Sequence, residues 1–576
     1  MKNLSQSAIS DTIKNTLTAS SFSIKCAPDK CPILHQVLEE KEKEIALLIE
    51  ENRQLAERLE QLTGTKNLYS HMLFGSSSEK ISQTEAAALP ENSTENPAIP
   101  PNETPTVPAI DDASPEPDIP RNNVRSISQH PKRKRGAQPG HKGHGRKIPE
   151  NLPVIQVFIK VPEEQRSCSI CGKEHEKLPF TENSTQIEVK LELFRVEYIR
   201  ERVKRTCDCP EAGNRFVTAP QPPQAIEKSK FSHNMLAFLV VLKYLFAIPL
   251  QRMLNIMGMQ GAEISPGSIT GAFKKLMLLL KPLYDSLAAV SRQDRQWNID
   301  ETGWMSFIRQ AGKNSFLNWM WVFASKRVVF YVLDPSRSSK VPLKHLSEKA
   351  QGIVIADRFS AYGKLAKMVP GLTVAICWAH FRRDFINAGK SFAQLKPWVF
   401  FWKKQIAEMY HLNHRRLDSV GDKQRFAEAQ RELEQAIEKM EADIAAELKN
   451  PTLHWEQRRV LVCAQKYWKG LTVFVRHHEV PMDNNRAERA LRRIALGRKN
   501  YYGTFAEWSG QFAAICLSVL QTAVLHGIKP VAYLRYYLDA CAKAGGVPEQ
   551  LERFHPWNIP NDVREEYSMQ RKDGKS

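Results

Sequence analysis

The chain has 576 residues, and 82 Lys+Arg against 63 Asp+Glu leave it with a formal net charge of +19. That length exceeds one hydrophobic core and points to roughly three or four domains, while the positive surplus favours a polyanion as partner, because nucleic-acid phosphates reward it through counterion release. Ten cysteines in so long a chain exclude a disulfide scaffold, and the most apolar run, Met235 to Leu250, is broken by Lys243, which excludes a membrane span there.

No apolar signal core follows Met1, so the expectation is a soluble cytoplasmic, nucleoid-associated protein with no membrane partner. Past a tail at 1–30, residues 31–80 carry a heptad. Leu38, Ile45, Asn52 and Leu59 stand seven apart, with Leu34, Leu48, Leu55 and Leu62 in the second apolar register. The pattern predicts a short coiled coil and a homodimer, since a lone Asn at such a position selects a parallel pair; a single amphipathic helix packed on its own domain is the other reading. Residues 81–131 turn to Pro, Glu, Asn, Ser and Thr and predict a disordered linker.

Residues 132–150 form a basic arm in which Lys132, Arg133, Lys134, Arg135, Lys142, Arg146 and Lys147 alternate with glycines. Such an arm suits DNA phosphates or a minor groove, unless it is only a solvated basic linker. In 151–225, Cys168-Ser-Ile-Cys171 and Cys207-Asp-Cys209 flank an alternating stretch from Gln186 to Val203. Four such thiolates suit a structural Zn2+, a zinc-ribbon-like segment, with His175 as a substitute ligand; buried or adventitious thiols are the rival reading. Residues 226–292 are apolar and helical, and their breaks allow either a helix-turn-helix with its reading helix starting near Ser268 or a plain packing layer.

The pattern then changes to strands. Trp297 to Trp304 holds a strand ending in an acid, Asp300; Trp319 to Phe323 and Val328 to Leu333 read as two apolar strands, Gly352 to Tyr362 as holding an apolar, buried strand again ending in an acid, Asp357, and Thr373 to His380 as a fifth. Three antiparallel strands followed by parallel ones predict an α/β mixed sheet of the ribonuclease H type over 293–387. A helical insertion follows at 388–478. A helix over 479–505 then completes the core, with Asp483 as its N-cap and Glu488 on its flank; helices fill 506–550 and 551–576 is a tail.

Asp300 and Asp357, at the ends of neighbouring strands, repel each other unless something positive sits between them. A divalent metal is the usual answer, and Glu488 would complete a three-carboxylate cage for Mg2+, two ions per site, suited to phosphoryl displacement on DNA. Each acid has a structural alternative: a strand-end cap for Asp300, an ion pair with Arg358 or Arg382 for Asp357, and a pair with Arg492 for Glu488. Arg382, Arg383, Arg489, Arg492, Arg493 and Lys499 are the cations placed to hold phosphates near the acids.

Asp300-Glu-Thr-Gly-Trp304, Asp357-Arg-Phe-Ser-Ala-Tyr362, Cys377-Trp-Ala-His-Phe-Arg-Arg-Asp-Phe385 and Asp483-Asn-Asn-Arg-Ala-Glu-Arg-Ala-Leu491 resemble the motifs of bacterial insertion sequence 66 family transposases. The likeness extends to Leu73-Phe-Gly-Ser-Ser-Ser-Glu-Lys80 and Gln138-Pro-Gly-His-Lys-Gly-His-Gly145, in the family's order. It implies a DDE transposase with Asp300, Asp357 and Glu488 as triad, a ribonuclease H-like catalytic domain, a zinc-binding segment and an N-terminal DNA-binding region. The implied partners are double-stranded DNA, as terminal inverted repeats and target, and small helper proteins of the same element. A DNA-binding regulator that has kept the fold and lost the chemistry is the alternative function.

Overall fold

The computed structural model describes residues 32–74, 216–308 and 316–564 except 562, together with parts of 154–206. The tail at 1–30, the linker, the arm from Lys132 to Lys147, and Cys168, Cys207 and Cys209 lie outside the described residues, whereas the stretch from 551, expected as a tail, buries Phe554, His555 and Ile559. Two compact units divide the chain, one of residues 83–196 and one of 1–82 with 197–576.

The larger unit opens with helix α1 (Pro32–Phe74). Its C-terminal part lies on the domain: Glu60 accepts from the His454 ring (2.9 Å) and the Trp455 indole (2.8 Å), and Asn67 donates to the Ser391 carbonyl (2.9 Å). Gly64 is what lets the helix come so close, because a Cβ there would stand 2.2 Å from the Phe392 ring. Residues 60, 64 and 67 share one face at helical spacing. Ile45, Leu48, Leu55, Leu59 and Leu62 lie on another face and are all exposed.

Strands β1 (Arg202–Lys204) and β2 (Phe216–Thr218) pair antiparallel. The alternation from Gln186 to Val203 yields only this short strand among the described residues, since two exposed three-residue strands bury no face. Helices α2 (His233–Val240), α3 (Leu250–Gly258) and α4 (Pro266–Gln293) follow, α2 running on into a π-helical turn at Val241–Leu245. The helix-turn-helix reading placed a recognition helix near Ser268. Here α4 continues for 28 residues and buries Ile269, Phe273, Leu276, Leu280, Leu283 and Leu287, so its inner face is a packing layer and only the flank with Ser268, Lys274 and Lys275 is exposed.

The central sheet comprises β3 (Gln296–Ser306), β4 (Leu317–Ala324), β5 (Val329–Asp334), β6 (Gly352–Ala356) and β7 (Leu372–Ile376), in the order β5-β4-β3-β6-β7. The first three are antiparallel, and β6 and β7 run parallel to β3. Ile353 to Ala356 are buried without alternation, as a strand covered on both faces requires. Helices α5 (Lys340–Leu346), α6 (Ser360–Met368) and α7 (Trp378–Ser391) connect and follow the later strands.

The insertion contains α8 (Lys396–Asp418), α9 (Lys423–Leu448), α10 (Trp455–Leu471) and the short α11 (Val473–Arg476). It is continuous with the core rather than appended to it: Trp378, Phe381 and Phe385 of α7 cluster with Trp402, Leu433, Val460 and Trp468. Arg416, fully buried, ties its parts together by donating to Asn413, Gln430, Phe474 and Val475.

Beyond it come α12 (Asn485–Tyr501), β8 (Gly503–Thr504), α13 (Glu507–Leu525) and α14 (Pro530–Ala544). An edge strand leaves a row of unpaired backbone groups. On β5, Ser518 and Thr522 of α13 accept from Tyr331 N (2.9 Å) and Val329 N (3.2 Å), which closes that edge. Among the described residues α13 is also the one helix long and apolar enough to cross a membrane, and its burial against β5 and α4 accounts for that composition.

Candidate functional site

Strand β3 was expected to end at Asp300; it runs six residues further, to Ser306. What ends near Asp300 is its pairing with β6, whose last paired residues are Asn298 and Ile355. The ladder resumes on that side only at Met305, opposite Gly503 of β8. Gly503 is required for this approach, since a Cβ would lie 1.9 Å from the Met305 carbonyl oxygen. Asp300 therefore faces a gap in the sheet, and two residues past the last pair, Asp357 leaves β6 at the same level.

Side chains two apart on a strand share a face. Asn298 and Asp300 point towards α12, whereas Glu301 points to the opposite face, where Arg337 (2.9 Å) and the Tyr362 hydroxyl hold its carboxylate. Asn484, just before α12, fixes the third acid. It is 1% exposed, accepts from Asn298 Nδ2 (2.9 Å) and donates to the Ile299 carbonyl (2.8 Å). One helical turn on, Glu488 N bonds the Asn484 carbonyl (3.2 Å), so the bonds that anchor Asn484 to β3 also set the height of Glu488.

Burial pushes the Asp300 carboxyl up to about 7, and the charges of Glu301, Asp357 and Glu488 push it the same way, while the Glu301 N–H it accepts pulls it back. Asp300 on β3 thus feels the charges of Asp357, just past the end of β6, and of Glu488 on α12. Arg358 pairs with Asp384 rather than Asp357, and Asp357 instead accepts from Phe359 N (2.9 Å). Among the described residues Glu488 makes no ion pair with Arg492; the side chain close to it is His380, with Nδ1 3.7 Å from Oε1.

Asp483 does not cap its own helix, where Asn484 occupies the N-cap without a side-chain bond. Its Oδ1 accepts from Ala379 N (2.9 Å) and the Tyr410 hydroxyl (2.6 Å), which clamps the start of α7. The chain before α12 is held beside the start of α7, where Trp378 N bonds the Met482 carbonyl (2.9 Å). Cys377 lies in the same corner; its thiol accepts from Asn484 N (3.2 Å), and burial pushes it up to about 11.

Of the cations expected to hold phosphates near the acids, Arg383, Arg489, Arg492 and Lys499 are exposed and Arg382, on α7, is half-buried. Arg493 serves the fold, donating to the Leu245 carbonyl at the π-turn (2.7 Å). Two residues were not legible beforehand. Arg498 donates to the Gly303 carbonyl (2.9 Å) and so fills the gap between β6 and β8. Arg486, partly buried one turn before Ala490, has its charge disfavoured by burial and by Arg489.

Cys171 is an exposed free thiol in a turn closed by the Ser167–Glu174 bridge and the His175 N bond to the Arg166 carbonyl (2.7 Å), followed by Gly172 at φ 71°. The other three zinc candidates fall outside the described residues.

Residues 228–512 match the family model described as the Transposase IS66 family. The chain is similar to three uncharacterized proteins of Sinorhizobium fredii (strain NBRC 101917 / NGR234). It is 26% identical to y4jD over 439 residues, 72% of this chain and 82% of the relative. It is 24% identical to y4hP over 435 residues, 71% and 76% of the two chains, and 27% identical to y4qI over 372 residues, 60% and 66%. No solved structure matches it.

Proposed function

Because residues 228–512 belong to the transposase IS66 family, we propose that this chain cleaves DNA at the terminal inverted repeats of its element and transfers the freed 3′ ends to target DNA. Asp300, Asp357 and Glu488 are its catalytic triad. The observation that carries the reading is the convergence of these acids at the gap in β3, where Asp300 is held near 7 by burial and by its acidic neighbours. The strand order β5-β4-β3-β6-β7 supports a ribonuclease H-like domain. Asp300, Asp357 and Glu488 are hard-oxygen donors, with Glu488 Oε1 buried and without a hydrogen-bond partner among the described residues, and would suit Mg2+, two ions per site. When bound, such ions activate the attacking oxygen and stabilise the leaving one in an in-line displacement.

The chain's own residues do the positioning. Asn484 and Asp483 fix α12 and α7 against β3, and the exposed Arg489, Arg492 and Lys499 present charge to phosphates along the outer flank of α12. Incubating the full chain with its element ends and Mg2+ is expected to give new 3′-hydroxyls and joined products. Tight binding of the ends without a nick in Mg2+ or Mn2+ would favour the regulator instead.

The exposed Leu48, Leu55 and Leu62 stripe supports self-association through α1. The Leu48→Glu Leu55→Glu protein is expected to sediment as a monomer where the parent is a dimer; an unchanged oligomer removes α1 from that role. The spacing of Cys168, Cys171, Cys207 and Cys209 in the sequence is the basis for a zinc knuckle. One zinc per chain by elemental analysis, lost in Cys168→Ser Cys171→Ser, is the expected result; zinc retained in that variant sinks the assignment.

A further inference from the structure

His380 stands in the first turn of α7, and the fold holds it there from two sides. Trp378 N bonds the Met482 carbonyl and Ala379 N bonds Asp483, so the turn is pinned to the segment that leads into α12. The consequence is a close approach of two side chains across the helical insertion. His380 Nδ1 and Glu488 Oε1 are 3.7 Å apart, which is beyond hydrogen-bond length. Both atoms are buried and neither has a hydrogen-bond partner among the described residues. Two buried polar atoms left unpaired side by side are costly unless a third species satisfies both.

A cation is the species that satisfies a lone-pair nitrogen and a carboxylate oxygen together. Nitrogen and oxygen ligands sit about 2.0–2.2 Å from such an ion, which puts adjacent ligands about 3 Å apart. The observed pair needs to close by only a fraction of an ångström. Among the described residues, Cys377, His380 and Glu488 form the group whose ligand atoms lie within 4.8 Å of one another. Cys377 is already engaged by Asn484 N, which leaves the imidazole and the carboxylate as the open donors.

We propose that His380 is a fourth ligand of the site, joining Glu488 on one of its divalent ions and biasing that position towards Mn2+ over Mg2+. The inference rests on the triad reading, since Glu488 is the ligand it shares. Its basis is chemical: Mn2+ accepts oxygen ligands as Mg2+ does but belongs to the first-row series that also binds mixed nitrogen and oxygen sites, whereas Mg2+ takes oxygen. An all-carboxylate site would show no such bias.

The test is Mn2+ binding to the full chain in the absence of DNA, followed by electron paramagnetic resonance of the free ion, with pulsed measurements of coupling to imidazole nitrogen. His380→Ala and His380→Gln, each at an unchanged metal-free melting temperature, are compared with the parent, Asp300→Asn and Glu488→Gln. Expected are nitrogen coupling in the parent, its loss in both His380 variants, Mn2+ binding weakened at least about 10-fold there, and Mg2+ competition moved by less than about 3-fold. Unchanged Mn2+ affinity and spectra in both His380 variants, with binding lost in Asp300→Asn, overturn the fourth ligand and leave the triad standing. Mn2+ binding unaffected in Asp300→Asn and Glu488→Gln alike overturns the triad reading and the inference with it.

Discussion

Asp300→Asn, Asp357→Asn and Glu488→Gln proteins are each expected to lose at least about 1,000-fold in divalent-ion-dependent cleavage of element ends, a barrier increase of about 4 kcal/mol. Each substitution keeps the shape and removes one anionic oxygen from a field that only a cation neutralises. Binding of the same DNA is expected to change by less than about 3-fold, because the exposed arginines of α12 and the rest of the basic surface supply that contact. Cleavage assays and gel-shift titrations on the same preparations separate the two. A variant that still cuts at more than a tenth of the parent rate would remove its residue from the triad.

Asp300→Asn also carries its own folding control. A carboxyl raised in the fold to about 7 from 3.8 contributes stability fully present below pH 3.8 and lost as pH rises through 7, because the folded state disfavours the ionised form. The metal-free variant, with no charge to ionise, is therefore expected to be more stable than the parent at pH 8, on the order of 1–3 kcal/mol, and level with it near pH 4. Denaturant midpoints at the two pH values check this. Loss of cleavage in a protein that has become more stable cannot be blamed on unfolding.

Asn484→Ala is expected to cost about 2–4 kcal/mol of stability and about 10–100-fold of cleavage. The substitution strands the Asn298 amide and the Ile299 carbonyl inside the core, at about 1–3 kcal/mol for each buried group left unpaired. It also frees the start of α12, and a shift of about 1 Å in a catalytic group costs on the order of 100-fold. Urea unfolding and cleavage rate at saturating Mg2+ measure the two effects. An Asn484→Ala protein with parental stability and rate would show that Glu488 is positioned by other contacts.

Much of the architecture was legible locally. Runs such as Gly352 to Ala356 are apolar without alternation because both faces of a parallel strand are covered, and the helix carrying Glu488 showed its inward face through Ala487, Ala490, Leu491 and Ile494, all of them buried. The five strands were identified in order, with ends displaced by a few residues. The failures share a cause: they concern which element a side chain reaches across to. Asp483 looked like a cap for its own helix and caps α7, and Arg493 looked like a phosphate ligand and holds the π-turn before Ala247.

The sequence by itself determined the chemistry available: three acids in strand and helix contexts, the cysteine pairs, the leucine heptad and the cationic flank. Periodicity and residue type write those directly, because each depends only on near neighbours in the chain. The tertiary structure alone decided that Asp300 lies inside β3 at a break in its pairing, that Asn484 sets the height of Glu488, and that His380 faces Glu488 across a long insertion. These follow from strand register and from how α7 and α12 meet at the sheet. Such contacts join residues far apart in sequence, and no local pattern encodes a distance between them.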